Sequence, residues 1–205
     1  MIRAASLLLA ASMLGGCITL LPEPPPPPRT YVLEARNIEP LQGVPIDAVI
    51  GIAQPTGERS ILGSDLIWRT GDTVAYVDQS QWSSRAADAL QQILAETIIS
   101  QGRFRASTRT GEARADYEIR WEILDFEIRE EDMTAHFRAD VRLVAPGRRI
   151  IASQIIDTAA PVSARSSSVA AEALARAARE GSARIGEFAA DAVVAAQETT
   201  TSAEN

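Results

Sequence analysis

Two stretches of strict alternation dominate the chain. In Tyr117-Ile119-Trp121-Ile123 the odd positions are apolar, with Glu118, Arg120 and Glu122 between them. In Phe137-Ala139-Val141-Leu143 the odd positions are again apolar, against Arg138, Asp140 and Arg142. A period of two sends alternate side chains to opposite faces of a pleated strand. Both stretches therefore read as half-buried antiparallel strands, joined across the polar loop Arg129-Glu130-Glu131-Asp132. The charges favour a register that sets Glu118 against Arg142, Arg120 against Asp140 and Glu122 against Arg138, with Ile119 beside Val141. Every exposed pair is then opposite in sign, and these charges are assigned to a solvated sheet face. After Ile123 the apolar positions move to Leu124, Phe126 and Ile128. Such a phase change requires a bulge, or a strand that passes from one packing surface to another. In the second case Leu124, Phe126 and Ile128 line a second apolar surface, either covered by helices or open to lipid or a partner.

The flanking pattern supplies the remaining elements. Short strands are expected at Thr30-Tyr31-Val32-Leu33 and at 46–53, which is rich in β-branched residues. Asp65-Leu66-Ile67-Trp68-Arg69 and Val74-Ala75-Tyr76-Val77 flank Gly71-Asp72 and read as two strands around a tight turn. From Trp82 to Ser100, Ala86, Leu90, Ile93, Leu94, Thr97 and Ile98 recur at helical spacing, and Gly102 ends the pattern. Pro146-Gly147-Arg148 turns the chain into a third meander strand, Arg149 to Thr158. Ser166-Ser167-Ser168 offers N-caps for an Ala-rich helix running to about Gln197. Its stripe is Leu174, Ala178, Ile185, Phe188, Ala192 and Val193. Gly181 and Gly186 either weaken this helix or let it approach the sheet closely. The polar residues 198–205 are expected to form a disordered tail. The fold class is α+β: a two-layer α/β sandwich, with a mixed or antiparallel sheet packed by two helices.

The N-terminus carries a different signal. Met1-Ile2-Arg3 opens an apolar stretch, Ala4 to Met13, too short to span a bilayer as a helix. Leu14-Gly15-Gly16 then leads into Cys17, the only cysteine of the chain. Leucine, two small residues and cysteine resemble the bacterial lipobox. That resemblance implies cleavage of residues 1–16 and a diacylglycerol and N-acyl chain on Cys17, with palmitate as a typical acyl group. Ile18 is not the Asp that resembles an inner-membrane retention signal, so the outer membrane is expected. Residues 17–28 form an acylated, Pro-rich tether, in which Pro22-Glu23-Pro24-Pro25-Pro26-Pro27-Pro28 holds six of the 11 prolines. A polyproline II run of this kind rises about 3.1 Å per residue and makes a stiff spacer. Residues 29–197 form the folded domain.

Composition narrows the function. The formal net charge of −7 over 205 residues argues against nucleic acid or anionic headgroups as primary partners. The basic residues are all Arg. Catalysis lacks its usual parts: one histidine, His136, lies on the exposed side of a strand, and the sole cysteine is committed to acylation. No zinc spacing, nucleophile elbow, P-loop or dinucleotide fingerprint is present, and the acids Glu130, Glu131 and Asp132 read as a solvated loop. No catalytic residue, metal or cofactor is assigned, and an enzyme is not expected.

The order of these features resembles the ABC-type transport auxiliary lipoproteins, whose paraquat-inducible-type members partner MCE-domain proteins. The residues that carry the resemblance are the lipobox at Cys17, the Pro-rich spacer and the strand at Tyr31-Val32-Leu33. Leu66-Ile67-Trp68-Arg69, Val74-Ala75-Tyr76-Val77, Trp82 at the helix start, the meander and the last helix complete it. Trp68 stands where that family often has Tyr, and the acidic loop at 130–132 is unusual for it. The resemblance implies a non-enzymatic role in lipid transport. The lipoprotein would sit on the periplasmic face of the outer membrane and dock a hydrophobic MCE conduit served by a permease and an ATPase. Arg69, Trp82, Trp68 and Tyr76 are then the candidate partner contacts, because aromatics and Arg dominate interface hot spots; for Trp68 and Tyr76, core and edge packing is an equal reading. An outer-membrane assembly lipoprotein supporting a β-barrel is the alternative, and a homo-oligomer is compatible with either.

Overall fold

The computed structural model describes residues 26–203. The leader, Cys17, Pro22–Pro25 and residues 204–205 lie outside the described residues. Nine strands and two helices follow in order: β1 (Arg29–Tyr31), β2 (Ile46–Ile52), β3 (Thr56–Gly57), β4 (Asp65–Thr70), β5 (Thr73–Trp82), α1 (Ala86–Ser100), β6 (Phe104–Arg109), β7 (Tyr117–Arg129), β8 (Thr134–Ala145), β9 (Arg149–Pro161) and α2 (Ser167–Ala203). They form the expected α+β sandwich, a mixed sheet packed by two helices.

β7 is the spine of the sheet. Along one edge it takes β2, β3 and β4 in turn, all parallel, at Tyr117–Ile119, at Glu122 and Ile123, and at Ile128 and Arg129. Its other edge pairs antiparallel with β8, and β8 with β9. β6 adds parallel to β2, β5 antiparallel to β4, and β1 parallel to the end of β5. β6 escapes the sequence reading because Arg105, Ser107 and Thr108 leave it little apolar alternation.

The charge-favoured register is overturned. Ile119 pairs with Leu143, Trp121 with Val141 and Ile123 with Ala139, which places Arg120 opposite Arg142 and Glu122 opposite Asp140. Like charges thus stand across from each other. Ion pairs along each strand compensate: Arg120 with Glu118 at 3.1 Å, and Arg142 with Asp140. The phase change at Leu124 is a bulge, seen as a register shift between Ile123 and Asp125. The bulge returns Phe126 and Ile128 to the same core as Ile119, Trp121 and Ile123, where they are 2% and 0% exposed. Leu124 is half-buried at the bulge itself. There is no second apolar surface at Leu124, Phe126 and Ile128.

Both helices lie on the apolar face. α1 begins at Ala86 rather than Trp82, and Ala86 N–H and Ala87 N–H donate to the carbonyls of Gly63 and Leu62. Loop backbone thus satisfies donors that a helix start leaves open. All six residues of its predicted stripe are buried. Gly102, at φ +73°, ends it as expected, and Ser166 Oγ accepts from Val169 N–H at the start of α2. α2 continues to Ala203, through residues expected to be a disordered tail. Thr199 and Ser202 hydroxyls donate to carbonyls four residues back along this polar end.

α2 packs closely at both glycines, against the sheet at Gly181 and against the end of α1 at Gly186. A Cβ built on Gly181 would lie 2.3 Å from Phe137 Cδ1, and one on Gly186 would lie 1.9 Å from Gln101 Oε1. Between them Ser182 is fully buried, and its hydroxyl has no hydrogen-bond partner. Burying an unpaired hydroxyl costs roughly 1–3 kcal/mol. Ser182→Ala is therefore expected to stabilise the fold by about 1 kcal/mol, read as a higher midpoint in urea denaturation at unchanged slope.

Candidate functional site

The four predicted contact residues do not form one surface. Three lie on the β4–β5 hairpin, whose two-residue loop Gly71-Asp72 begins with φ +55° at Gly71. Register places Ile67 beside Tyr76 and Arg69 beside Val74 on one face, and Trp68 beside Ala75 on the other. Tyr76 and Val74 are exposed by 57% and 46%, while Trp68 is half-buried against the core. The fourth, Trp82, is only 2% exposed. It ends β5 instead of opening the helix. Its indole stacks on Phe126 at 5.9 Å, and Phe126 meets Phe137 edge-on at 6.3 Å. Trp82 is core, and its role as a partner contact is withdrawn.

Arg69 has a structural partner that sequence reasoning missed. Its Nε lies 3.0 and 3.1 Å from the two carboxylate oxygens of Glu127, whose side chain is 2% exposed. Arg129 approaches the same carboxylate at 3.4 Å and Asp125 at 3.1 Å. A carboxylate this deep requires such compensation, since desolvation of an unpaired charge is costly. Glu127 thus anchors the hairpin to the spine strand while leaving Arg69 partly exposed. The only sequence signal was an acid flanked by Phe126 and Ile128.

The acidic loop fastens the hairpin tip. Thr70 hydroxyl donates to Glu130, Gly71 N–H to Glu131, and Arg165 pairs with Glu130. The Thr70 hydroxyl, then Arg165, hold Glu130 below the usual carboxylate range. Glu131 is lowered by its own backbone N–H and that of Gly71, and Asp132 by Thr134 and then His136. His136 sits on the outer face of β8, its ring nitrogen near Thr134 and 3.2 Å from Asp132. Among the described residues no group of three His, Cys, Asp or Glu is placed to hold a metal ion.

Carboxylates whose folded pKa is depressed stabilise the fold fully above their unfolded value of about 4.3, and lose that contribution as pH falls through the folded value. Thr70→Val is therefore expected to lower the thermal midpoint at pH 7. The gap to the parent chain should narrow as the pH falls through the folded value of Glu130, where protonation removes the ionised form that Thr70 stabilises. A gap that stays constant with pH would remove the hydrogen bond as its cause.

β5 pairs with β1 only at Ser80–Trp82, so its outer edge along 73–79 is open among the described residues. The hairpin is a braced arm with an open strand edge and an exposed tyrosine. No helix among the described residues is long and apolar enough to cross a membrane.

The fold has solved counterparts. Protein XCC0632 from Xanthomonas campestris, of the family DUF330, superposes with a TM-score of 0.77 at 19% identity, over 83% of this chain and 99% of that one. An uncharacterized protein superposes with a TM-score of 0.65 at 13% identity, over 80% of this chain and 99% of its own. These likenesses concern the fold. No curated relative matches the chain. The sequence model of one family matches residues 31–186, from the end of β1 into α2 and including both strands of the braced hairpin. The chain belongs to the family of ABC-type transport auxiliary lipoprotein components.

Proposed function

We propose that this auxiliary lipoprotein serves an MCE-type phospholipid transport system and docks its periplasmic conduit at the outer membrane. Acyl chains on Cys17 hold it on the periplasmic face, and the tether of residues 17–28 lifts the domain from the surface. The permease and ATPase of the same system act at the inner membrane. The role is non-enzymatic and needs no cofactor. The β4–β5 arm carries this reading: Tyr76 and Val74 are exposed on a hairpin fixed near its turn by Arg69–Glu127 and at the turn itself by the acidic loop. A preformed, rigid aromatic contact loses little entropy on binding.

A photo-crosslinking residue at Tyr76 in the full acylated chain tests this in native envelopes. The expected adduct is an MCE-domain protein. An adduct with an outer-membrane β-barrel protein, without MCE components, would instead select the assembly role. Cys17→Ala is expected to move the protein from the membrane to the soluble fraction and to abolish the Tyr76 adduct, since one mutation removes every acyl chain. Retention in the membrane fraction would overturn the lipid anchor.

A further inference from the structure

β9 closes the sheet on the side away from the hairpin. β8 pairs along one edge of it, and no strand pairs with the other among the described residues. α2 covers only half of that open edge. Arg184 donates to the Asp157 carbonyl at 3.3 Å and Arg176 to the Pro161 carbonyl at 2.9 Å. The two guanidinium groups thereby occupy acceptors that a further strand would need. Over Arg149–Ile156 no side chain among the described residues hydrogen-bonds the backbone in this way, although Glu187, Phe188 and Asp191 of α2 line a cavity beside Gln154–Ile156. The Arg149–Ile156 segment has no Pro, its one feature of the kind that blunts an edge is a bulge, and it exposes Ile150 and Ile155 by 56% and 52%. Ile155 stands opposite Asp140 and Ile150 opposite Val144, with a register shift that leaves Ile151 bulged between them. The bulge turns both isoleucines onto the charged outer face.

We infer that this half-edge joins two copies of the chain, antiparallel, about a twofold axis at Ser153. The segment is basic at one end, Arg148-Arg149, acidic at the other, Asp157, and apolar between. Such a pattern complements itself only when reversed. In the paired arrangement Ser153 meets Ser153 of the second copy, and Gln154 meets Ala152. Each Ile155 meets the second copy's Ile150 on the same face, while both bulged Ile151 residues are passed over. The basic end of each strand then lies over Asp157 of the other, twice by symmetry. Within its own chain Asp157 stands across from Arg138, whose ion pair is with Asp125 at 3.8 Å. A parallel second copy would set like charges together and is disfavoured. The formal charge of −7 on each copy repels at long range, but salt screens this beyond about 8 Å, and the contact rests on pairing at shorter distance. This contact lies away from the hairpin, so it stands or falls independently of conduit docking.

A single cysteine on the axis tests the pairing in the full acylated chain. Directly opposed antiparallel residues have Cα atoms about 4.5–5.5 Å apart, within disulfide range. Ser153→Cys in envelopes is expected to give a disulfide-linked dimer under mild oxidation. The parent chain, and Ser83→Cys at an exposed position after β5, are expected to give none. Adding Asp157→Arg should cut the dimer yield roughly fivefold, and Arg148→Asp with Arg149→Asp in that background should restore it. A Ser153→Cys yield no higher than that of Ser83→Cys would overturn the inference. So would a disulfide adduct with a different protein, which would give the edge to another partner.

Discussion

Trp82→Ala is expected to cost about 3–5 kcal/mol of stability and to weaken any partner contact only by unfolding the domain. The indole is 2% exposed, stacks on Phe126, and stands at the point where β5 leaves the sheet for α1. Its backbone N–H donates to Ser64 and that of Ser83 to Tyr31, so the side chain fills a corner that three backbone segments close. Truncation leaves a cavity these segments cannot collapse into. Tyr76→Ala makes the contrast. Its side chain is 57% exposed at the middle of the arm, and its loss should change stability by under about 0.5 kcal/mol while depressing partner capture. Urea denaturation of both variants, beside crosslinking from a second hairpin position such as Val74, separates the two roles. A Trp82→Ala protein of parent stability that loses its partner would return Trp82 to the interface.

The elements of the fold were legible where burial imposed a period. β7, β8 and both helices follow from alternation at two and from stripes at 3.6, because each has one face in the core. The register did not follow, for a physical reason. Alternation fixes only which face is buried, and any shift by two residues preserves it. The charges favoured one such shift, but ion pairs along the strands, Arg120 with Glu118 and Arg142 with Asp140, satisfy the same groups in another. The turn joining Arg129 to Thr134 and the bulge at Leu124 set the pairing instead. Neither leaves a charge pattern. The parallel edge of β7 was equally hidden, since β2, β3 and β4 reach it from far along the chain.

The site was legible in part. The hairpin is announced by Gly71-Asp72 between two apolar runs, and exposure of Tyr76 was one of its two open readings. Trp82 was misread because an aromatic three or four residues before a helix fits a helix start as well as a strand end. Glu127 was unreadable: its meaning comes from Arg69, fifty-eight residues away in sequence and adjacent only through the parallel pairing of β4 with β7. The acidic loop looked like solvated charge, yet it grips Thr70 and Gly71, and that too is a tertiary fact.

Gly181→Ala is expected to destabilise the fold by about 2 kcal/mol, against the rule that alanine improves a helix interior. Propensity alone would add about 1 kcal/mol of stability. The new methyl group, however, would sit 2.3 and 2.4 Å from Cδ1 and Cε1 of Phe137. That ring is fully buried and already meets Phe126 edge-on, so it has no direction in which to retreat. Overpacking of this kind costs roughly 1–3 kcal/mol and sometimes more, which outweighs the propensity gain. The sequence left two readings of Gly181, a weak point in the helix or a close approach; the distance to Phe137 selects the second. A double-mutant cycle decides the cause. Phe137→Leu alone should be destabilising, yet in its presence Gly181→Ala should cost far less, with a coupling of at least about 1 kcal/mol. Additive losses would mean that the glycine serves some other need of α2 and that the contact with Phe137 is incidental.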